Sequence, residues 1–297
     1  MKKQKLIATL SLLPLLFSCG EQPATTPATT TQENTTVSQP VEEKYKPEYT
    51  ISSADMTLDA NDSAFNVSTV KQVEDHLLGA MTFLFLGSSV TYGASSQGVA
   101  MAEYLSAKTG AKCLKDAVSG TTLYVKKEGD NSYVNRLLRS TAFNKEKYVD
   151  AFICQISTND ARNEAIANMG VHDGQKNTAT TLGAVEFIIE YVKETWDCPI
   201  YFYSGAKFTD EGKRKNINPT GTSYATLVDN VKDIVKDYQG KGYDCGVIDM
   251  FYDEAFNSVV SDEFYSWATS DPIHPKKAGY LHWWMPYFEA YLLNHLF

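Results

Sequence analysis

Residues 83–93 read FLFLGSSVTYG. Four apolar residues in a row suit a strand buried on both faces, and the glycine and two serines behind them end it while presenting small hydroxyls. A turn of this composition has two common uses. Backbone N–H groups at a helix N-terminus can cradle a phosphate. The same turn can instead lift a serine nucleophile to the top of a sheet. The stretch fits both uses, and the choice falls to the rest of the chain.

From residue 81 onward, strand-like and helix-like segments alternate. After the apolar strand at 82–86, residues 99–108 have helical character and are closed by Gly110, and 111–114 and 151–156 read as a second and third strand. Leu182, Val185, Ile188, Ile189 and Val192 share one helical face, as do Tyr224, Leu227, Val228, Val231, Ile234, Val235 and Tyr238. Strands are expected at 199–203 and 246–250, and a closing helix at 280–297 with a kink or restart at Pro286. Apolar strands alternating with amphipathic helices predict an α/β fold, a parallel sheet of about five strands covered on both faces. In such sheets chemistry sits at the carboxyl ends of the strands. The segments there are GSSVTYG, then DAVSGTT (116–122), then STNDARN (157–163); SDPIHPKKAGY (270–280) precedes the last helix.

These four segments, in this order, resemble the sequence blocks of the SGNH hydrolases, the GDSL esterases and lipases. The resemblance covers most of residues 80–290 and implies a three-layer α/β/α, flavodoxin-like domain. It makes Ser89 of Gly87-Ser88-Ser89 the nucleophile, and Asp271 and His274 of Asp271-Pro272-Ile273-His274 its partners. The oxyanion donors it implies are the Ser89 amide, Gly120 and Asn159. Two positions depart from the family pattern: Ser88 stands in the usual aspartate slot and Ser157 in the usual glycine slot. Neither is a reacting group.

The residue chemistry points the same way. A serine hydroxyl needs an adjacent base at neutral pH, and His274 sits in a loop that offers a carboxylate three residues away. Asp271 can orient that imidazole and stabilise it when charged. Asn159 supplies an amide donor, and Asp160 is expected to brace a turn. A phosphate cradle would leave STND and DPIH without a role, and neither G-x-x-x-x-G-K-[ST] nor G-x-G-x-x-G is present. The remaining histidines, His76, His172, His282 and His295, lack such company. Tyr92 and Tyr124 fit either a pocket wall or plain packing, and Lys213, Arg214 and Lys215 either a substrate contact or a solvated charge run.

The rest of the chain bounds the setting. With 297 residues and a net charge of −9, the chain speaks against a nucleic-acid partner, which would call for a basic face. Lysines at 2, 3 and 5 precede an apolar run at 6–17, too short to span a bilayer. Residues 16–20, LFSCG, resemble the lipobox of bacterial lipoproteins, which implies a signal peptide at 1–18, lipidation of Cys19 and attachment to a membrane. Residues 19–48, rich in Thr, Pro, Gln and Glu, read as a disordered tether, followed by the domain at 49–297. The other cysteines, 113, 154, 198 and 245, lack metal-site spacing and are expected as buried free thiols, with Cys198 and Cys245 the pair best placed to meet. No metal or cofactor is expected. The expected activity is hydrolysis of an extracytoplasmic ester, with a small-molecule or glycan ester as partner, acetylated carbohydrate among them. Glycan O-acyl transfer on the same fold and a catalytically silent surface binding lipoprotein are the alternatives.

Overall fold

A computed structural model describes residues 43–162, 167–208 and 219–297. The expected signal peptide, Cys19, most of the tether, and Lys213, Arg214 and Lys215 lie outside the described residues.

The first expected strand is β1, Thr82–Gly87, and it runs straight into a one-turn helix, α1, Ser89–Tyr92. Helix α2 (Met101–Thr109) leads to β2 (Lys112–Ala117), and helix α3 (Tyr133–Arg139) to β3 (Ala151–Gln155). Then follow α4 (Thr181–Trp196), β4 (Ile200–Tyr203), α5 (Pro219–Gly240) and β5 (Cys245–Ile248). Two short helices, α6 (Glu254–Ser258) and α7 (Asp262–Ala268), precede the 270–280 loop. A helical turn, α8 (Lys277–Gly279), and a π-turn at Tyr280–Trp284 then run into α9 (Met285–Leu296). Pro286 lies in the first turn of α9, directly behind the π-turn, where its missing N–H coincides with the change of helical pitch.

All the strands pair in parallel, in the order β2-β1-β3-β4-β5. The period of two along each strand builds two cores. Leu84, Leu86, Phe152, Cys154 and Phe202 face α3, α4 and α5. Phe83, Phe85, Ile153, Tyr201 and Tyr203 face α2, α9 and the Trp283–Trp284 pair. The expected three-layer α/β/α arrangement is thus present. Because the order reverses at β1, a crevice opens between the ends of β1 and β3, the usual ligand position in such sheets.

β2 is longer than its apolar residues predict. It is the edge strand, none of its residues is fully buried, and Lys115 folds back to Glu103 at 2.7 Å. The domain also begins earlier than expected. Tyr45 gives its N–H to Asn294 Oδ1 at 2.8 Å and accepts from Asn294 Nδ2 at 2.7 Å, so chain ahead of Tyr49 is already fixed to α9.

Candidate active site

Ser89 is the first residue of α1, and an amide in a first turn has no helical acceptor, so its N–H is available to a ligand. Gly87 makes this sharp strand-to-helix junction possible. A Cβ there would lie 1.6 Å from Thr91 Oγ1. Beneath the turn lies the Gln155 side chain at the end of β3. Its Oε1 accepts from Ser88 N at 2.8 Å, Thr91 Oγ1 at 2.9 Å, Ser88 Oγ at 3.2 Å and Thr91 N at 3.3 Å. Ser88, in the usual aspartate slot, is fully buried and spends its hydroxyl on this bond.

The 270–280 loop brings the base to the nucleophile. It is pinched by a bridge between Thr269 and Pro275, by Ser270 N–H to His274 O at 3.0 Å, and by Tyr265 OH to Pro272 O at 2.6 Å. Lys277, buried, anchors its far side on Asn66 Oδ1 and Gln97 Oε1, both at 2.7 Å. His274 Nε2 stands 2.7 Å from Ser89 Oγ, and His274 Nδ1 stands 2.7 and 2.9 Å from the Asp271 oxygens. Burial would raise the Asp271 pKa. The His274 side chain and the backbone N–H groups of Ile273 and His274 outweigh it and hold the carboxyl down at about 2. An ionised carboxylate only accepts, so Nδ1 carries the hydrogen and Nε2 turns its lone pair to the serine hydroxyl.

The third wall is the turn after β3. Ser157, in the usual glycine slot, caps the Thr158–Ala161 turn by accepting from Asn159 N at 3.1 Å, and donates to Thr121 O at 3.1 Å. Asn159 Nδ2 donates to the same carbonyl at 3.0 Å, which aims its amide. Gly120 adopts φ +78°, a left-handed conformation natural to glycine. An added Cβ there would meet nothing within 4 Å, so the residue is required for its backbone rather than for close packing. Asp160 braces this wall: its fully buried carboxylate accepts from Leu123 N at 2.9 Å and Thr181 Oγ1 at 3.0 Å. Burial dominates these bonds and pushes its pKa up to about 7.

In overall fold the chain is similar to a solved structure from Lactobacillus plantarum, with a TM-score of 0.55 at 17% identity, over 74% of this chain and 99% of that one. A second solved structure gives 0.55 at 18% identity, over 73% and 97%. The chain shares the three-layer α/β/α fold of these two structures, built on a five-stranded parallel sheet. An acetylxylan esterase from Geobacillus stearothermophilus aligns at 18% identity over 74% of this chain and 96% of that one, with a TM-score of 0.49. No family model and no curated protein matches the sequence.

On this fold the structure brings Ser89, Asp271 and His274 into one hydrogen-bonded chain, with Gly120 and Asn159 on the turns that follow β2 and β3. Two buried residues at the site carry no motif signal, Gln155 and Arg136. The Arg136 guanidinium reaches Gly87 O and Asp116 O, each at 2.7 Å. The other histidines are engaged elsewhere: His76 with Glu289, His172 with Glu186 and Asp237, His282 with Thr50, and His295 stacked on Tyr291. Tyr124 is buried and its hydroxyl accepts from Asn168, whereas Tyr92 is half-exposed. Cys113, Cys154, Cys198 and Cys245 are free thiols. Among the described residues no group of three or more His, Cys, Asp or Glu side chains is placed to hold a metal.

Proposed function

We propose that the protein is an SGNH-family serine ester hydrolase, held at the bacterial envelope by lipid on Cys19, that cleaves an extracytoplasmic ester such as an acetylated carbohydrate. The observation that carries this reading is the Ser89–His274–Asp271 chain at the carboxyl end of the sheet. His274 Nε2 takes the Ser89 proton as the hydroxyl attacks the ester carbonyl, and Asp271 stabilises the imidazolium. The amides of Ser89 and Gly120 and the Asn159 side chain meet the oxyanion. As the tetrahedral intermediate collapses, His274 returns the proton to the leaving alcohol. Water, activated by the same imidazole, then releases the acyl group from Ser89. The site calls on no metal ion or cofactor for any of these steps. Among the described residues no helix is long and apolar enough to cross a membrane. In this reading attachment rests on lipid at Cys19, and firm anchoring requires more than one acyl chain.

The protein is expected to turn over p-nitrophenyl acetate and to take up a fluorophosphonate on Ser89. Peptide mapping decides between the adjacent serines, because Ser88 Oγ is buried and bound to Gln155. An adduct on Ser88, or no adduct and no turnover, would overturn the reading. For the anchor, the mature N-terminus is expected at Cys19, with the chain in the membrane fraction and Cys19→Ala abolishing lipidation. An N-terminus mapped elsewhere removes the anchor from the proposal and leaves the chemistry standing.

A further inference from the structure

The peptide unit between Gly87 and Ser88 is gripped at both ends. Its carbonyl oxygen accepts from Arg136 Nη2 at 2.7 Å, and its N–H donates to Gln155 Oε1 at 2.8 Å. A peptide unit is planar, so fixing its two polar ends fixes its rotation, and with it ψ of Gly87 and φ of Ser88. The next unit carries the Ser89 amide, and Ser89 follows. Gly87 has no side chain to resist that rotation, so the restraint has to come from outside the turn.

Each gripping side chain does more than hold one bond. Arg136, 3% exposed, also reaches Asp116 O at 2.7 Å, Asp116 Oδ1 at 2.5 Å and Asn131 O at 3.0 Å. One guanidinium thereby joins the end of β1, which leads to Ser89, to the end of β2, which leads to Gly120. A planar fork with several fixed donors suits this task, and a lysine offers only a mobile point charge. Gln155 ends β3, whose continuation carries Asn159. The strand ends that lead to all three proposed oxyanion donors are therefore tied together by two buried side chains.

We propose that Arg136 and Gln155 are positioning residues that clamp the Gly87–Ser88 peptide and so set the Ser89 and Gly120 amides at the spacing the oxyanion requires. The proposal rests on the hydrolase reading for its effect on rate.

The experiment compares wild type, Arg136→Lys, Gln155→Met and the double variant as full-length protein. Each single variant is expected to lose about tenfold to a hundredfold in kcat, the scale of a displacement near 1 Å, with KM unchanged. The rate of fluorophosphonate labelling should fall in parallel while its final stoichiometry stays that of wild type. A purely structural role would instead lower the labelled fraction. The double variant should cost hardly more than either single one, because both hold the same unit. Hydrogen exchange at the Ser88 amide, which needs no activity, should quicken in Gln155→Met. A folded variant with wild-type kcat per labelled site and wild-type exchange at Ser88 would overturn the clamp. If Arg136→Lys fails to fold, Gln155→Met decides alone, since it leaves the arginine end intact. A wild-type protein that neither labels nor turns over ester sinks the hydrolase reading instead, and exchange at Ser88 still tests the clamp.

Discussion

His274→Ala is expected to lower kcat by roughly 10^4- to 10^6-fold, and Ser89→Ala by a similar factor. The reason lies in the single contact at 2.7 Å between His274 Nε2 and Ser89 Oγ. Without that acceptor the hydroxyl has nowhere to send its proton, and without the hydroxyl the imidazole has nothing to activate. The two side chains work as one unit, so the double variant should be hardly worse than either single one. His274 is partly exposed and its loop is closed by Tyr265 and Lys277, so the variant should fold. Steady-state kinetics on p-nitrophenyl acetate, with thermal melts as control, check this. A folded His274→Ala enzyme that kept most of its activity would reduce DPIH to a turn.

Asn159→Ala should cost about a hundredfold to a thousandfold in kcat, the usual effect of losing one oxyanion donor. The side-chain amide has two hydrogens. One goes to Thr121 O at 3.0 Å, which leaves the other for charge that develops only in the transition state. KM should therefore stay nearly constant while kcat falls. The Thr158–Ala161 turn keeps its Ser157 cap in the variant, because that cap bonds the backbone of residue 159. A KM that rose while kcat held would place Asn159 in ground-state binding and remove it from the oxyanion hole.

What the sequence makes legible here is local. The apolar runs at β1, β3 and β4 are visible because both faces of each strand are covered, and the helical stripes of α4 and α5 because each packs one face on the sheet. β2 is harder to see, since an edge strand needs no continuous apolar run. Helices α3, α6 and α7 are too short to show a period. Their starts are nonetheless marked by the side chains of Ser132, Asp253 and Ser261, each of which accepts from a backbone N–H of the first turn. At the site, the four blocks locate the expected residues because each follows directly on a strand end or a tight turn. Gln155 and Arg136 escape notice for the opposite reason. A glutamine ending an apolar strand and an arginine in YVNRLLR look ordinary until the sheet order sets them against the Gly87–Ser88 peptide.

The paired bonds between Tyr45 and Asn294 carry a mechanical consequence. Any tension arriving through the residues ahead of Tyr45 first loads these two bonds and, through Asn294, the last helix. Asn294 stands in the last turn of α9, the end of that helix remote from the histidine loop. The first event expected under such a load is the parting of Tyr45 from Asn294, before force reaches the strands. For a domain pulled by its N-terminus, the Tyr45–Asn294 pair is therefore expected to part before the 2.7 Å contact between Ser89 and His274 is strained.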